Sequence, residues 1–457
     1  MKRRAAQDLS RWLESSDRRP LVVRGARQVG KTWLARDLAE REGLDLVELN
    51  FERDPALARL FESNDPASIL GEIELQRGRS VSPATCLLFL DEIQAAGELL
   101  AKLRWFYESL PELAVVAAGS LLEFTLSDHS FSMPVGRITF RRVEPISFAE
   151  FLEAHDNTPL LDRLEAWRVG SELSATAHDQ ALARFDHYSM VGGMPATVAA
   201  DIGGASPQEV RALQNDLLAT YRADFAKYSG RMDRQILDLV LTSVARSLGN
   251  KFVYARAGDG VKGHQVKRGL ELLEAAQLVT LVRYSAANGV PLGAESKDTS
   301  RKAALLDVAL LHPLIGTPAG AKFPSWDALV PDSKARISEQ LAVQQLRLLG
   351  DAHRPAELYF WRREGGRAGE VDHVVQVHGR VVPLKLKAGT AGSMKSLHQF
   401  MFDKGLDLAV RVDRNPPSLS RLDVKTTQGD RVVYDLLNLP LYLLWNLETI
   451  LAGLHSE

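Results

Sequence analysis

Cysteine, long apolar runs and net charge are all scarce in this chain, and each scarcity excludes a class of protein. One cysteine, Cys86, stands among 457 residues, which excludes an internal disulfide and a cysteine-ligated metal cluster. It lies inside an apolar, strand-like run, where a small core hydrophobe is expected. No apolar stretch approaches the roughly 18 residues of a membrane-spanning helix. The longest, Leu437–Trp445, is broken by Asn438 and Pro440 and followed by Asn446. The opening MKRRAAQDLSRW has charges with no apolar segment behind them, so no secretory leader is expected and the location is read as cytoplasmic, with no membrane partner. With 56 Lys+Arg against 58 Asp+Glu, the chain lacks the overall positive field of a nucleic-acid coat protein. Basic character is local. The stretch Lys251–Arg268, KFVYARAGDGVKGHQVKR, sets five positive residues against Asp259, and Lys262, Lys267 and Arg268 are its candidate nucleic-acid contacts.

Hydrophobic residues make up 45% and charged residues 25%, the balance of a folded globular chain. The length exceeds what one core organises, so about two to four domains are expected. Residues 1–150 alternate short β-type runs (Leu21–Val23, Leu44–Phe51, Cys86–Leu90 and Ala114–Ala118) with amphipathic helical patterns in KTWLARDLAERE and GELLAKLRWFYESL. That alternation predicts an α/β unit with a parallel sheet. Residues 151–230 read as a helical lid, interrupted by the turn VGGMP at Val191–Pro195. Residues 231–318 read as helices followed by two β-type runs, LVTLVRYS and KAALLDVALL, an order that suits a winged helix. The Gly-, Pro- and Ala-rich stretch 316–332 reads as a linker. The segment 333–457 opens with a helix, RISEQLAVQQLRLLG, and continues with strands at AELYFWRR, EVDHVVQV and VVPLKLK and a helix around MKSLHQFMFDKG.

The chemistry concentrates at Gly25-Ala26-Arg27-Gln28-Val29-Gly30-Lys31-Thr32, which satisfies G-x-x-x-x-G-K-[ST] between an apolar strand and an amphipathic helix. The glycines let successive N–H groups converge on phosphate oxygens, and the helix N-terminus adds positive potential. Lys31 is expected to bridge the outer phosphates of ATP, and Thr32 to ligate Mg²⁺. About 60 residues on, the apolar run Leu87–Leu90 ends in Asp91 and Glu92. Asp91 is the expected holder of the hydrated Mg²⁺, and Glu92 the base that orients and deprotonates the attacking water. The run AVVAA ends in Gly119-Ser120, where Ser120 could sense the terminal phosphate or cap the helix that follows. Gly136-Arg137 follows the loop SDHSFSMPV, read as flexible. Arg137 there could be an arginine finger, in cis or in trans, or an ordinary ion-pair partner.

These motifs, with GSLLEF, PISFAEF at Pro145–Phe151, VGGMP, and YRADF at Tyr221–Phe225, resemble a family of prokaryotic AAA-like ATP-binding proteins with a C-terminal domain of unknown function. The resemblance implies an AAA-like P-loop NTPase core, a helical lid, a winged-helix segment and a terminal α/β fold like that of restriction endonucleases. Such nuclease-like folds place an acid on the first helix, an Asp on a strand, and an acid-x-Lys pair on the next. Glu339 matches the first, Glu370 and Asp372 the second, and Lys385 and Lys387 occupy the third. A cation, Lys385, stands where a metal-binding carboxylate is required, so the domain is expected not to cut DNA. Glu370 and Asp372 are two apart and could still supply two carboxylates with Glu339 as a third, Lys387 keeping its role.

The leading reading is a Mg²⁺-dependent ATPase whose cycle moves the C-terminal domains in a DNA-linked process. The alternative is an ATP-dependent switch or scaffold acting on protein partners, of the defence or toxin-control type, with no nucleic-acid substrate. A small-molecule kinase is disfavoured, because paired Asp91 and Glu92 point to water as the nucleophile. The sequence leaves the oligomeric state open.

Overall fold

The computed structural model describes residues 2–120, 122–126, 134–228, 232–258, 260–363, 369–388 and 393–455. Two compact units are present. The first comprises residues 1–145 with 275–277 and 351–355, and the second the remainder.

The first unit is built on five strands: β1 (Leu21–Arg24), β2 (Asp45–Asn50), β3 (Cys86–Asp91), β4 (Ala114–Gly119) and β5 (Thr139–Arg142). They order as β2-β3-β4-β1-β5, and every pair is parallel. Strands β3 and β4 are buried at all six positions, the consequence of uninterrupted apolar runs covered by helices on both faces. Those helices are α1 (Arg4–Leu13), α2 (Lys31–Arg41), α3 (Pro66–Arg77), α4 (Leu99–Ser109) and α5 (Leu122–Leu126). Leu99, Leu100, Leu103 and Phe106 of α4 are buried, a spacing that puts them on one helix face toward the sheet. Cys86 is 1% exposed, and burial pushes its thiol up to about 12. It is a core residue.

Because the sheet is parallel, the C-terminal ends of all five strands meet at one edge. The loops after β1, β3 and β4 therefore gather there, and with them residues 25–30, Asp91, Glu92 and Ser120.

The second unit begins with helices α6 (Phe148–Ala154), α7 (Thr158–Ala166), α8 (Ala175–Val191), α9 (Pro195–Ile202) and α10 (Pro207–Tyr228), and continues with α11 (Arg234–Ser247) and α12 (Gly263–Ala275). The predicted turn VGGMP separates α8 from α9. Gly192 has φ +80° and Gly193 donates its N–H to both oxygens of Asp307 at 3.0 Å; a Cβ on Gly192 would meet Asp307 Oδ1 at 2.4 Å. Only glycine fits so close an approach.

An eight-stranded mixed sheet follows, from β6 (Val279–Ser285), β7 (Ser296–Leu305), β8 (Leu358–Arg362), β9 (Glu370–Val377), β10 (Arg380–Leu386), β11 (Leu408–Val412), β12 (Ser418–Lys425) and β13 (Arg431–Asn438). Its order is β12-β13-β11-β10-β9-β8-β6-β7. The remaining helices are α13 (Val308–Ile315), α14 (Pro331–Leu346), α15 (Lys395–Lys404) and α16 (Leu447–Ala452).

Two expectations change here. KAALLDVALL is not one strand: β7 ends at Leu305, and the Asp307 side chain accepts from Ala309 N–H to start α13. An Asp placed to cap the next turn outweighs the β-type composition around it. The two strands read as a wing, β6 and β7, pair antiparallel but do not stand alone, since β6 also pairs with β8 in the terminal sheet. Edge strand β7 ends under α14, where the Gln340 amide takes the place of a strand neighbour, accepting from Leu305 N–H at 2.9 Å and donating to Leu305 O at 2.8 Å.

Candidate nucleotide site

The loop 25–30 has the backbone that phosphate binding requires. Gly25, Gln28 and Gly30 have positive φ, 158°, 67° and 97°, and such interspersed positive-φ residues let a loop turn its N–H groups toward one concavity. A Cβ on Gly25 would meet Val143 O at 2.5 Å. Helix α2 begins at once after Gly30 with no side-chain cap, which leaves its first N–H donors for an anion. Ala26 and Val29 are buried against the core, while Arg27 reaches Glu52 at 3.6 Å. Arg3, which no motif singles out, is buried and braces the loop by donating to Val29 O at 2.9 Å and Glu144 O at 2.6 Å.

Lys31 folds back on this loop and donates to Gly25 O at 2.9 Å and Ala26 O at 2.8 Å. Burial lowers its pKa to about 8, against the raising influence of Glu92 and Asp91. A phosphate in the concavity offers the ammonium better acceptors than the two carbonyls.

Asp91 ends β3, and Thr32 Oγ1 donates to its Oδ2 at 3.2 Å. Asn50, opposite Asp91 in the strand register, donates to the same oxygen at 2.9 Å. Burial raises the Asp91 pKa, with Glu92 adding to it and Asn50 and Thr32 opposing. The pair suits Mg²⁺: both donors are hard oxygens, and an octahedral ion with bonds of about 2.0–2.1 Å places adjacent ligands about 2.9 Å apart. Thr32 and Asp91 are the residues that would hold it.

Glu92 takes a left-handed conformation, φ 51°, at a cost of about 1–2 kcal/mol for a residue with a Cβ. Gln94 Nε2 donates to Glu92 Oε2 at 2.5 Å, and Ser120 approaches the same oxygen through Oγ at 3.3 Å and N–H at 3.4 Å. Gly119 leaves room for this contact, since a Cβ there would meet Gln94 Oε1 at 2.1 Å. Lys31, Thr32, Asp91, Glu92 and Ser120 thus share one edge of the sheet. Asn50 and Gln94 were missed, although each follows from its place: Asn50 by register beside Asp91, Gln94 two residues after Glu92.

Arg137 does not join them. It precedes β5, whose first residue, Thr139, pairs with Leu21 at the start of β1, so Arg137 lies at the N-terminal edge of the sheet, opposite the loop. There its Nε donates to Glu108 Oε1 at 2.7 Å. This placement sets Arg137 apart from the P-loop of its own chain, and the ion-pair reading describes the contact found. Residues 127–133 of the preceding loop lie outside the described residues.

The nuclease-like set in the second unit is also altered. Lys385 Nζ is 2.9 Å from Asp372 Oδ1, and Leu386 N–H donates to Asp372 Oδ2 at 2.7 Å. Glu370 pairs at 2.7 Å with Lys302, a lysine on β7 that is 2% exposed and also 3.8 Å from Glu339. His373 is 3.2 Å from Glu339. Burial alone would raise the Glu339 pKa, but the Lys302 ammonium and the His373 ring overcome it and hold the carboxyl well below its usual range. Lys302 serves both Glu339 and Glu370, and Lys385 serves Asp372, so the three acids left open by the spacing are paired with cations here rather than gathered as ligands of one ion. Lys387 lies just past β10, its pKa lowered by burial and by Lys385.

Glu370 and Lys385 border a cleft of about 480 Å³ that is also lined by Lys251, Arg256 and Arg362. The other basic candidates lie at α12: Lys262, Lys267 and Arg268 are exposed, with Lys267 3.7 Å from Glu271.

Residues 17–152 match the AAA domain family. With the loop geometry above, this defines the first unit as an AAA-type P-loop ATPase domain, a class that implies nucleotide binding. Residues 182–320 match a domain of unknown function (DUF8612), and residues 334–415 another (DUF4143). No curated protein matches the chain. Among solved structures, it is similar to the Walker-type ATPase PABY2304 of Pyrococcus abyssi, at 16% identity and TM-score 0.39, covering 68% of this chain and 94% of that one. The ORC1 protein of Aeropyrum pernix, solved in complex with DNA, matches at 14% identity and TM-score 0.27, covering 69% and 91%. AMPPCP-bound DnaA from Aquifex aeolicus matches at 15% identity and TM-score 0.27, covering 59% and 87%. Among the described residues, no helix is long and apolar enough to cross a membrane.

Proposed function

We propose that this protein is a Mg²⁺-dependent ATPase, converting ATP and water to ADP and phosphate, and that it couples this cycle to movement of its C-terminal segments in a DNA-linked process. The observation that carries the chemistry is the Thr32–Asp91–Glu92–Ser120 cluster at the mouth of the phosphate loop. Bound Mg²⁺ would screen phosphate charge, held by Thr32 and Asp91. Glu92 takes the proton of the attacking water, and its left-handed backbone and the Gln94 and Ser120 contacts aim its carboxylate. Lys31 stabilises the charge that develops on the terminal phosphoryl oxygens.

The DNA link is supported by the basic cleft. Lys251, Arg256 and Arg362 have no carboxylate partner among the described residues, so their charges are available to a phosphate backbone, while neighbouring Glu370 is neutralised by Lys302. The test is ATP turnover with and without single-stranded, duplex and branched DNA. Stimulation that weakens steeply with salt supports the proposal. Turnover indifferent to all three favours the switch acting on protein partners.

A further inference from the structure

In the second unit, far along the chain from the phosphate loop, three helices bring three side chains to one point. His155 follows α6, His187 lies near the end of α8, and Asp201 near the end of α9. His155 Nε2 is 2.8 Å from Asp201 Oδ2, and His187 Nε2 is 2.8 Å from Oδ2 and 3.0 Å from Oδ1. All three ligand atoms lie within 4.8 Å of one another.

The second nitrogen of His155 shows what this point requires. Nδ1 is 2.8 Å from Phe151 O, an atom that only accepts, so Nδ1 carries the proton. In the neutral ring Nε2 then presents a lone pair, and that lone pair faces a carboxylate, which also only accepts. Two acceptors 2.8 Å apart need a positive centre between them, either a second proton on the ring or a bound cation.

We propose that His155, His187 and Asp201 form a three-ligand site for a first-row divalent metal ion, with Zn²⁺ as the fitting ion and one coordination position left open. Two imidazoles and one carboxylate are a borderline-soft set that suits Zn²⁺, whereas Mg²⁺ and Ca²⁺ select oxygen. The chain thereby separates two ions: oxygen donors at Thr32 and Asp91 for one, nitrogen donors here for the other. Zinc bonds of about 2.0–2.2 Å put tetrahedral ligands about 3.3 Å apart, so the contacts need to open by only about half an ångström. The Nδ1–H bond to Phe151 O fixes the His155 tautomer and ring plane, as outer partners of metal-bound histidines do. Phe151, with its ring centroid 4.1 Å from that of His155, and Phe323, 5.9 Å from His187, shield the site. His187, 36% exposed at its side chain, marks the open side. The Arg184 charge, which acts on His155, opposes a cation and moderates affinity.

The test uses the full chain, stripped with a chelator and titrated with Co²⁺ as a spectroscopic probe, then with Zn²⁺ in competition. The expected result is one Co²⁺ per chain with visible ligand-field absorption, displaced by Zn²⁺, and a melting temperature raised by Zn²⁺. Buried Cys86 is too deep to compete. His187→Gln and Asp201→Asn should each weaken binding at least about tenfold. His187 is part-exposed, so its variant should melt like the wild type in chelator and keeps the test informative if Asp201→Asn is unstable. Absence of stoichiometric binding, or equal binding by wild type and His187→Gln, overturns the site and leaves a proton as the bridge.

Discussion

The Lys302 ammonium lies 2.7 Å from the Glu370 carboxylate, with the lysine side chain 2% exposed. It is also close to Glu339, so one buried cation serves two acids from different elements. Lys302→Met should therefore leave uncompensated buried charge and lower stability by about 3 kcal/mol or more, as breaking buried pairs does. Chemical denaturation of the purified protein measures it; a loss well under about 1 kcal/mol would mean that the acids are neutral in the folded chain.

From the same arrangement we expect no DNA cleavage by the C-terminal segment. Supercoiled, linear and branched DNA should survive incubation with Mg²⁺ or Mn²⁺, with a salt-sensitive mobility shift that weakens when Lys251 and Arg362 are changed to Ala. Cleavage that vanishes in an Asp372→Ala control would show that the carboxylates can be freed from their lysines.

Lys31→Ala and Glu92→Gln should separate binding from chemistry. The first removes the loop's ammonium and should cut turnover more than about tenfold together with nucleotide affinity. The second keeps a hydrogen-bonding side chain of similar shape but cannot take a proton, so ATP binding should persist while turnover stops. Binding by fluorescent nucleotide and phosphate release are the two readouts. Joint loss of both in Glu92→Gln would make Glu92 structural.

Arg137→Ala is expected to leave turnover unchanged in dilute protein, because the side chain pairs with Glu108 at the far edge of the sheet. Turnover per chain that rises with protein concentration and is lost in this variant would instead mean that a neighbouring copy supplies the arginine.

The gathering of Lys31, Thr32, Asp91 and Glu92 at one edge of the sheet was legible in the sequence because its parts are local: a fixed-spacing loop, and a strand whose final residues announce themselves by charge. Asn50 and Gln94 escaped because an amide has no such signature until strand register places it beside a carboxylate. The position of Arg137 was not legible for a related reason. Its loop follows β4, whose tip is at the site, but the chain has crossed to the opposite edge before β5 begins, and spacing alone does not record the crossing. The nuclease-like acids were found by pattern, whereas Lys302 came from β7, about 70 residues from Asp372 along the chain. Only the pairing of β7 into the terminal sheet brings it there. Strand β7 itself was displaced in the reading, since Asp307 hides a helix start inside an apolar run.

Asp307 gives a pH prediction. Burial raises its pKa to about 6, against N–H bonds from Ala309 and Gly193. The folded state thus holds this proton more tightly than the unfolded chain, and the stabilisation is present below about pH 4 and lost as the pH rises through about 6. Asp307→Asn does not titrate. Compared across pH 4 to 7, stability should shift in the variant's favour by on the order of 1–3 kcal/mol. The variant should still be the less stable at acid pH, because its amide turns N–H donors toward N–H donors. A pH-independent difference would mean that the carboxyl is ionised throughout.

The glycine turn between α8 and α9 has a consequence for how such chains can be rearranged. Its N–H at Gly193 ends on a carboxylate that belongs to the segment after β7, so the helices α6 to α9 are not a portable part. A fragment or a fusion that starts beyond α9 inherits Asp307 without the Gly193 N–H that it accepts from, and should be less stable than the intact chain. Exchange of these helices between related chains should succeed only when the glycine pair and the aspartate travel together.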